Sequence, residues 1–267
     1  MNAEAALRRL DEDHPLVHHI TNAVTVNLVA NVTRATGALP VMAPSGEEVE
    51  EMVAAAGALV LNVGTLDPEL IEAMLRAGRR AGEIGLPVIL DPVGAGATTF
   101  RTRAVERLLS EIPVAAICGN AGEIATIAGL TAEVRGVESI AGDPREAVRL
   151  AAEKLRLTVA ATGPTDYVSD GERTLAVENG DPLMGRVVGS GCSATAIVGC
   201  FAAVANAGAR ADLETAAAAI AYLGRAGELA ARSAAGPGTF EPLLLDALAQ
   251  VALSPEGLES CLRVREV

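Results

Sequence analysis

The sequence predicts an α/β protein, with a doubly wound, mostly parallel central sheet layered between helices. Three observations predict it. Short aliphatic runs alternate with helical stretches along most of the 267 residues. Most of those runs end near Gly, Asn, Asp or Thr. Half of the chain is hydrophobic, yet aromatics make up 2% and Trp is absent, so Ala, Val, Leu and Ile must fill the core. Apolar runs without polar alternation suit strands buried on both faces. A βαβα order implies right-handed crossovers onto a layered sheet. With no Pro/Ser-rich linker, charge block or internal repeat, a single domain over 1–267 is expected.

In chain order, the opening MNAEAALRRLDEDHP is amphipathic and charged, with no apolar signal-peptide core, so a cytoplasmic location is expected. Pro15–Asn22 places polar groups ahead of a long apolar helix that Asn22 can cap and that ends near Gly37. Strands are expected over Leu39–Met42, Ala58–Asn62, Pro87–Leu90, Val114–Ile117 and Leu157–Ala161. Ser45, ahead of Glu47 and Glu48, opens one intervening helix. Asp67-Pro68 and Asp143-Pro144 each set a capping residue before a proline, where further helices begin. Asp166–Ser169 and Arg173–Val177 flank Asp170-Gly171 as a hairpin with a two-residue turn. Three helices follow, near 192–207, 211–232 and 240–251, then an edge strand over Leu262–Val267.

Charge and cysteine usage exclude several functions. Lys+Arg number 21 against 34 Asp+Glu, a net charge of −13. A sequence pI near 4.7 argues against nucleic acid, which needs a basic face, and against anionic membranes. A mean hydropathy of +0.34 is far from that of disordered chains. The longest apolar stretch, 187–209, opens Val-Val-Gly-Ser-Gly-Cys-Ser and reads as a loop feeding a buried helix. Cys118, Cys192, Cys200 and Cys261 show no CxxC spacing, so neither a zinc knuckle nor a disulfide framework is indicated.

Ligands of open α/β sheets bind outside the carboxyl ends of the strands. Five loops there are polar or glycine-rich: Asn62–Thr65, Asp91–Gly96, Gly119–Glu123, Thr162-Gly163 and Gly189–Cys192. Together they define one rim. The glycines of Gly189-Ser190-Gly191-Cys192 let backbone N–H groups turn inward at a helix start, an arrangement that stabilises a transferring phosphoryl group or an oxyanion; a structural turn before a buried helix is the alternative. No Walker loop occurs, and the only lysine, Lys154, lies in a helix. Cys192, at the helix start, has three readings: nucleophile, general base or small packing residue. Asp91 and Glu123 are hard oxygen donors suited to Mg²⁺ that keeps waters and substrate phosphates; an Asp-Pro turn and a first-turn Glu are the alternative. Asn27 and Asn31 on the early helix, and His18 before it, read first as solvated and buried residues respectively.

Taken together, PLVHHITN, the Asn-rich helix, LPVM, LNVGT, LDPVGAGAT, GNAGEI, ATG with DYVSDG, VVGSGCSAT and GPGTFEPLLLD resemble, in order and over nearly the whole chain, the hydroxyethylthiazole kinases of the ribokinase-like superfamily. The resemblance implies a three-layer αβα fold. It also implies transfer of the γ-phosphate of ATP to the hydroxyl of 4-methyl-5-(2-hydroxyethyl)thiazole with Mg²⁺, in thiamine salvage. A homotrimer with thiazole pockets between subunits is implied as well. Met42 and Gly189 match the family's substrate-pocket positions, and Asn22 and Asn27 join them on the polar start of the chain. Thr162, with Gly163 and Asn120 beside it, matches a nucleotide-contacting position. Asp91 and Glu123 match the acidic pair around Mg²⁺. Cys192 takes the place of the aspartate base of related kinases. Cys118 stands where the family usually has a phosphate-contacting Arg, and a thiol cannot supply that bidentate contact. The alternatives are another ribokinase-like kinase of small alcohols, of the pyrimidine or vitamin B6 type, and a non-catalytic nucleotide-binding relative.

Overall fold

The structure is a computed structural model that describes residues 1–130, 133–135, 138–140, 142–205 and 211–267. Helix α1 (Ala3–Asp13) is capped by Asn2, whose side chain accepts from the Ala5 N–H. Strand β1 (Leu16–Ile20) and helix α2 (Val26–Ala35) follow, then β2 (Leu39–Val41), α3 (Val49–Ala54) and β3 (Ala58–Asn62). Helix α4 (Pro68–Ile84) starts at Asp67, which accepts from Leu70 N–H, and stops at Gly85 in the left-handed region. Next come β4 (Val88–Asp91), α5 (Thr99–Glu111), β5 (Ala116–Asn120) and α6 (Ala121–Ala128). A two-stranded ribbon, β6 (Glu133–Arg135) and β7 (Glu138–Ile140), leads to α7 (Pro144–Leu155), capped by Asp143 as expected. Strands β8 (Thr158–Thr162), β9 (Asp166–Ser169) and β10 (Thr174–Val177) precede α8 (Ser190–Val204), α9 (Leu213–Ala231), α10 (Pro237–Leu253) and β11 (Val264–Glu266).

Nine strands form one sheet in the order β11-β10-β9-β8-β5-β4-β3-β1-β2. From β8 to β2 every pairing is parallel, and β9, β10 and β11 add antiparallel strands at one edge. Alternation along the strands sorts the core into two layers. Ala58, Val60, Ile89, Ala116 and Ala160 pack under α8 and α9. Leu59, Leu61, Val88, Leu90 and Ile117 pack on the opposite face with α4 and α5. This is the three-layer αβα architecture that the sequence predicts.

Helix α8 is apolar around its whole circumference because it lies between the sheet and α9, with residues from Ser193 to Ala202 buried. Gly199 makes its approach to the sheet possible: a Cβ there would sit 2.4 Å from Val60 Cγ2. Gly199→Ala is therefore expected to cost about 1–3 kcal/mol of folding free energy, as read by urea denaturation. No loss would mean that α8 rides higher on β3.

The structure corrects several expected elements. Leu16–Ile20, given no element from the sequence, is a buried strand. Its histidines are core residues: His18 Nε2 donates to Ala43 O over 2.9 Å, and His19 Nε2 is hydrogen-bonded to Thr33 Oγ1 over 3.0 Å. Asn22 does not cap α2 directly; its Oδ1 accepts from Val24 and Thr25 N–H in the turn before it. The helix after Ser45 begins at Val49, a turn later than expected. The hairpin pairs Ser169 with Thr174, so its loop has four residues, with Asp170 Oδ1 accepting from Glu172 and Arg173 N–H. The expected helix over 192–207 starts at Ser190, and its last two residues lie outside the described residues.

Candidate active site

The parity that sorts the core also places the site. Asn62 and Asp91, the last residues of β3 and β4, face each other in register and share the face of Val60 and Ile89, under the start of α8. Both are buried, at 2% and 3% exposure. Asn62 Nδ2 donates to Asp91 Oδ2 over 2.6 Å and to Cys192 Sγ over 3.2 Å. Asn22 Nδ2 donates to Thr25 Oγ1 over 2.8 Å and to Asn62 Oδ1 over 2.9 Å, and lies 3.6 Å from Cys192 Sγ. A connected polar network thus links the ends of β1, β3 and β4 to the first turn of α8.

Gly189 caps α8 at φ +99°, with no side-chain capping bond. Its left-handed backbone and the absence of a side chain are both required, because a Cβ would lie 2.9 Å from Thr25 Cγ2 and 3.0 Å from Leu28 Cδ2. The first-turn N–H groups of α8 lack intrahelical partners and point out of the helix start, where an anion is stabilised.

Two cavities meet at this loop. One, of about 630 Å³, is lined by Thr162, Gly163, Asp166, Ser190, Gly191 and Gly224 among others. The other, of about 510 Å³, is lined by Val24, Thr25, Leu28, Val187 and Val188, and also by Arg186 and Glu241. Val187 and Val188 line the second and Ser190 and Gly191 the first, so the chain passes from one to the other through Gly189. Val24 and Val188 are 70% and 72% exposed, so the second cavity opens through an apolar surface.

Burial, then the charge of Glu123, pushes the Asp91 carboxyl up to about 8. Burial also raises Glu123, although its Oε1 accepts from Gly94 N–H over 2.7 Å and its Oε2 from Asn120 N–H over 2.8 Å. Glu123 and Asn120 form the capping box of α6. Two buried carboxyls, of which Glu123 opposes the ionisation of Asp91, fit a hard divalent cation. No group of three or more His, Cys, Asp or Glu side chains that could hold a metal occurs among the described residues. The pair therefore suits an ion that keeps waters and substrate oxygens, as Mg²⁺ does. Arg101 ties the surrounding loops together, donating to Val63 O, Val93 O and Gly64 O.

Burial, then the neighbouring Asp91 charge, pushes the Cys192 thiol up to about 11, against the lowering effect of a helix start. Few molecules hold a thiolate at neutral pH, which disfavours both the nucleophile and the strong-base readings.

Of the residues expected from sequence, Asn22, Asp91, Gly189 and Cys192 come together. Thr162, Gly163, Ser190 and Gly191 line the larger cavity, while Asn120 and Glu123, paired with each other in the capping box of α6, line neither cavity. Cys118 does not reach the cavity: it is 1% exposed in the layer beneath α8 and α9, where burial holds its thiol protonated. Its side chain is used in packing and lines neither cavity. Asn27 lies on the exposed face of α2, bonded to Asn31, and Met42 is half-buried just past β2, so neither lines either cavity within one chain. Sequence reasoning missed Asn62 as more than a rim residue, and it missed Thr25 and Asp166. Counting parity back from Asp91 and Asn62 through their apolar strands would have found the first.

This chain is similar throughout to known proteins. The sequence model of the family described as "HK: Hydroxyethylthiazole kinase family" matches residues 7–254. A hydroxyethylthiazole kinase of Rubrobacter xylanophilus is 67% identical over 264 residues, covering 99% of this chain and 98% of the relative. The solved structure of a hydroxyethylthiazole kinase protein from Pyrococcus horikoshii superimposes with a TM-score of 0.88 at 42% identity, covering 99% of this chain and 98% of that one. A ribokinase-like superfamily protein of Enterococcus faecalis, 14% identical, shares the fold with a TM-score of 0.63 over 94% of this chain and 89% of its own. With the sheet order, the rim loops and the family match in agreement, the chain belongs to the hydroxyethylthiazole kinase family and is a kinase of the ribokinase-like fold.

Proposed function

We propose that this kinase transfers the γ-phosphoryl group of ATP to the hydroxyl of 4-methyl-5-(2-hydroxyethyl)thiazole, across the Gly189–Cys192 loop. The carrying observation is the position of that loop between two cavities. The larger suits the nucleotide, with Thr162 and Gly163 on one wall and Ser190 and Gly191 at the phosphate end. The smaller, bounded by Val24, Leu28 and Val187, suits a small apolar ring. Asp91 and Glu123 would hold Mg²⁺, which when bound neutralises developing phosphate charge and orients the donor.

The chain's own groups do the rest. Phosphoryl transfer is mostly positioning and charge stabilisation. The amides at the start of α8 stabilise the equatorial oxygens of the moving group, a duty left to backbone where no Lys or Arg lines the nucleotide cavity. Cys192 Sγ, as a thiol, meets and orients the alcohol; as the new O–P bond forms and the bond from the γ-phosphorus to the ADP oxygen breaks, the alcohol proton passes late to an oxygen of the transferred phosphoryl group. The open side of the acceptor cavity, with exposed Val24 and Val188, together with Met42 and Asn27, fits completion by a neighbouring subunit of a homotrimer working in the cytoplasm. No helix among the described residues is long and apolar enough to cross a membrane.

The test is ADP release with Mg-ATP against a panel of small primary alcohols, including hydroxymethylpyrimidine and pyridoxal. Selective turnover of hydroxyethylthiazole is expected; no stimulation by any alcohol despite ATP binding would overturn the reading. In the same assay Cys192→Asp should stay active, and Cys192→Ala should lose no more than about 10²-fold in kcat. Complete loss in a folded Ala variant would make the thiol an obligatory base or nucleophile.

A further inference from the structure

The most fully satisfied polar side chain in the site is one that has no part in the transfer as derived so far. Asn62 is 2% exposed and uses all of its bonding capacity. Its two amide hydrogens go to Asp91 Oδ2, at 2.6 Å, and to Cys192 Sγ, at 3.2 Å. Its Oδ1 accepts from Asn22 Nδ2 and from Gly64 N–H, each at 2.9 Å.

The amide has only one workable orientation. Turned over, its NH₂ would face two donors, the Gly64 N–H and the Asn22 amide. The Cys192 sulfur is therefore an acceptor on the Asn62 side, with the Asn22 amide nitrogen 3.6 Å away. Its S–H is turned off Asn62, and its side chain also pairs with the Asp91 carboxyl. Asn62 itself sits on a parallel rung opposite Asp91, so its own position is set by the sheet. Sites held by locked side chains on rigid elements keep the sub-ångström geometry that transfer needs.

We propose that Asn62 is a positioning residue of the phosphoryl-transfer step, bridging the acceptor-side thiol of Cys192 to the donor-side carboxyl of Asp91. It rests on the kinase reading above and adds a residue through which the two halves of the site are kept in register. Asn62 lines neither cavity, so it acts through Cys192 and Asp91 rather than by touching the nucleotide.

The experiment is a double-mutant cycle on kcat. Asn62→Ala and Asn62→Ser are measured in the native chain and in a Cys192→Ala background, with KM for ATP and Tm recorded for each. Serine keeps a hydroxyl for the turn to Gly64 and protects the test if the alanine variant folds poorly. In the native background kcat should fall by about tenfold or more, with KM for ATP changed by less than about twofold. In the Cys192→Ala background the fall should shrink to about threefold or less, since coupled neighbours are not additive. Equal losses in both backgrounds, or losses that follow KM or Tm, would overturn the role of Asn62 alone. An unmutated chain with no turnover of the alcohol would instead overturn the kinase reading, and this role with it.

Discussion

Asp91→Asn is expected to lower kcat by about 10²–10³-fold while raising Tm at pH 8 in metal-free buffer. The two effects have one cause. Asp91 is held to about 8 by burial and by Glu123, against an ordinary 3.8. Below 3.8 folded and unfolded chains both carry the proton, and the carboxyl costs the fold nothing. Between 3.8 and about 8 the unfolded chain releases it and the folded chain does not, so stability falls as pH rises. Above that window the fold carries a buried anion beside a second acidic side chain. Asparagine keeps the shape and an oxygen for the Asn62 N–H but never ionises. Mg²⁺ should narrow the difference by stabilising the native chain at pH 8 and not the variant. An unchanged or lower Tm in Asp91→Asn, at every pH, would show that Asp91 is ionised and well paired in the fold.

The second large effect is acid destabilisation through His19. Burial, with a smaller contribution from neighbouring His18, lowers His19 from 6.5 to about 3. Above 6.5 both states are neutral and its contribution is complete. As pH falls from 6.5 toward 3 the unfolded chain takes up a proton that the folded chain refuses, and stability is lost. Between pH 7 and 5 this amounts to about 2 kcal/mol. Comparing urea denaturation of the native chain with His19→Leu at both pH values isolates it from the carboxyls. The difference between the two proteins should shift by about that amount; a constant difference would mean that His19 is charged or exposed in the fold.

Most of the architecture was legible because its signals are local. Asp67-Pro68 and Asp143-Pro144 begin helices where capping chemistry says they should, and Ala58–Asn62 is a strand with the expected bounds. Strand β1 was not, because two histidines in a five-residue run look polar until partners distant in sequence, Ala43 and Thr33, satisfy them. The rim was legible for the same reason as the strands: glycine and polar residues end each apolar run. What sequence could not show was depth. Asp91 ends β4 and meets Asn62 at the start of α8, whereas Cys118, on the same face of the sheet, lies in the middle of β5 and packs into the layer beneath α8 and α9. The helix start suggests an acidified Cys192, but burial beside Asp91 outweighs the helix and raises it. Asn62 was passed over because an asparagine at a strand end reads as a turn residue, and its four partners come from Asn22, Gly64, Asp91 and Cys192.

The central claim is that donor and acceptor meet across residues 189–192, and the most direct measurement is a crystal structure of the chain with a non-hydrolysable ATP analogue, Mg²⁺ and hydroxyethylthiazole. The nucleotide is expected in the cavity of Thr162 and Gly163, and the thiazole in the cavity of Val24 and Leu28. It places the γ-phosphorus and the hydroxyl oxygen face to face beside the Ser190–Cys192 amides. A nucleotide bound elsewhere, or an alcohol whose hydroxyl lies away from Cys192, would contradict it.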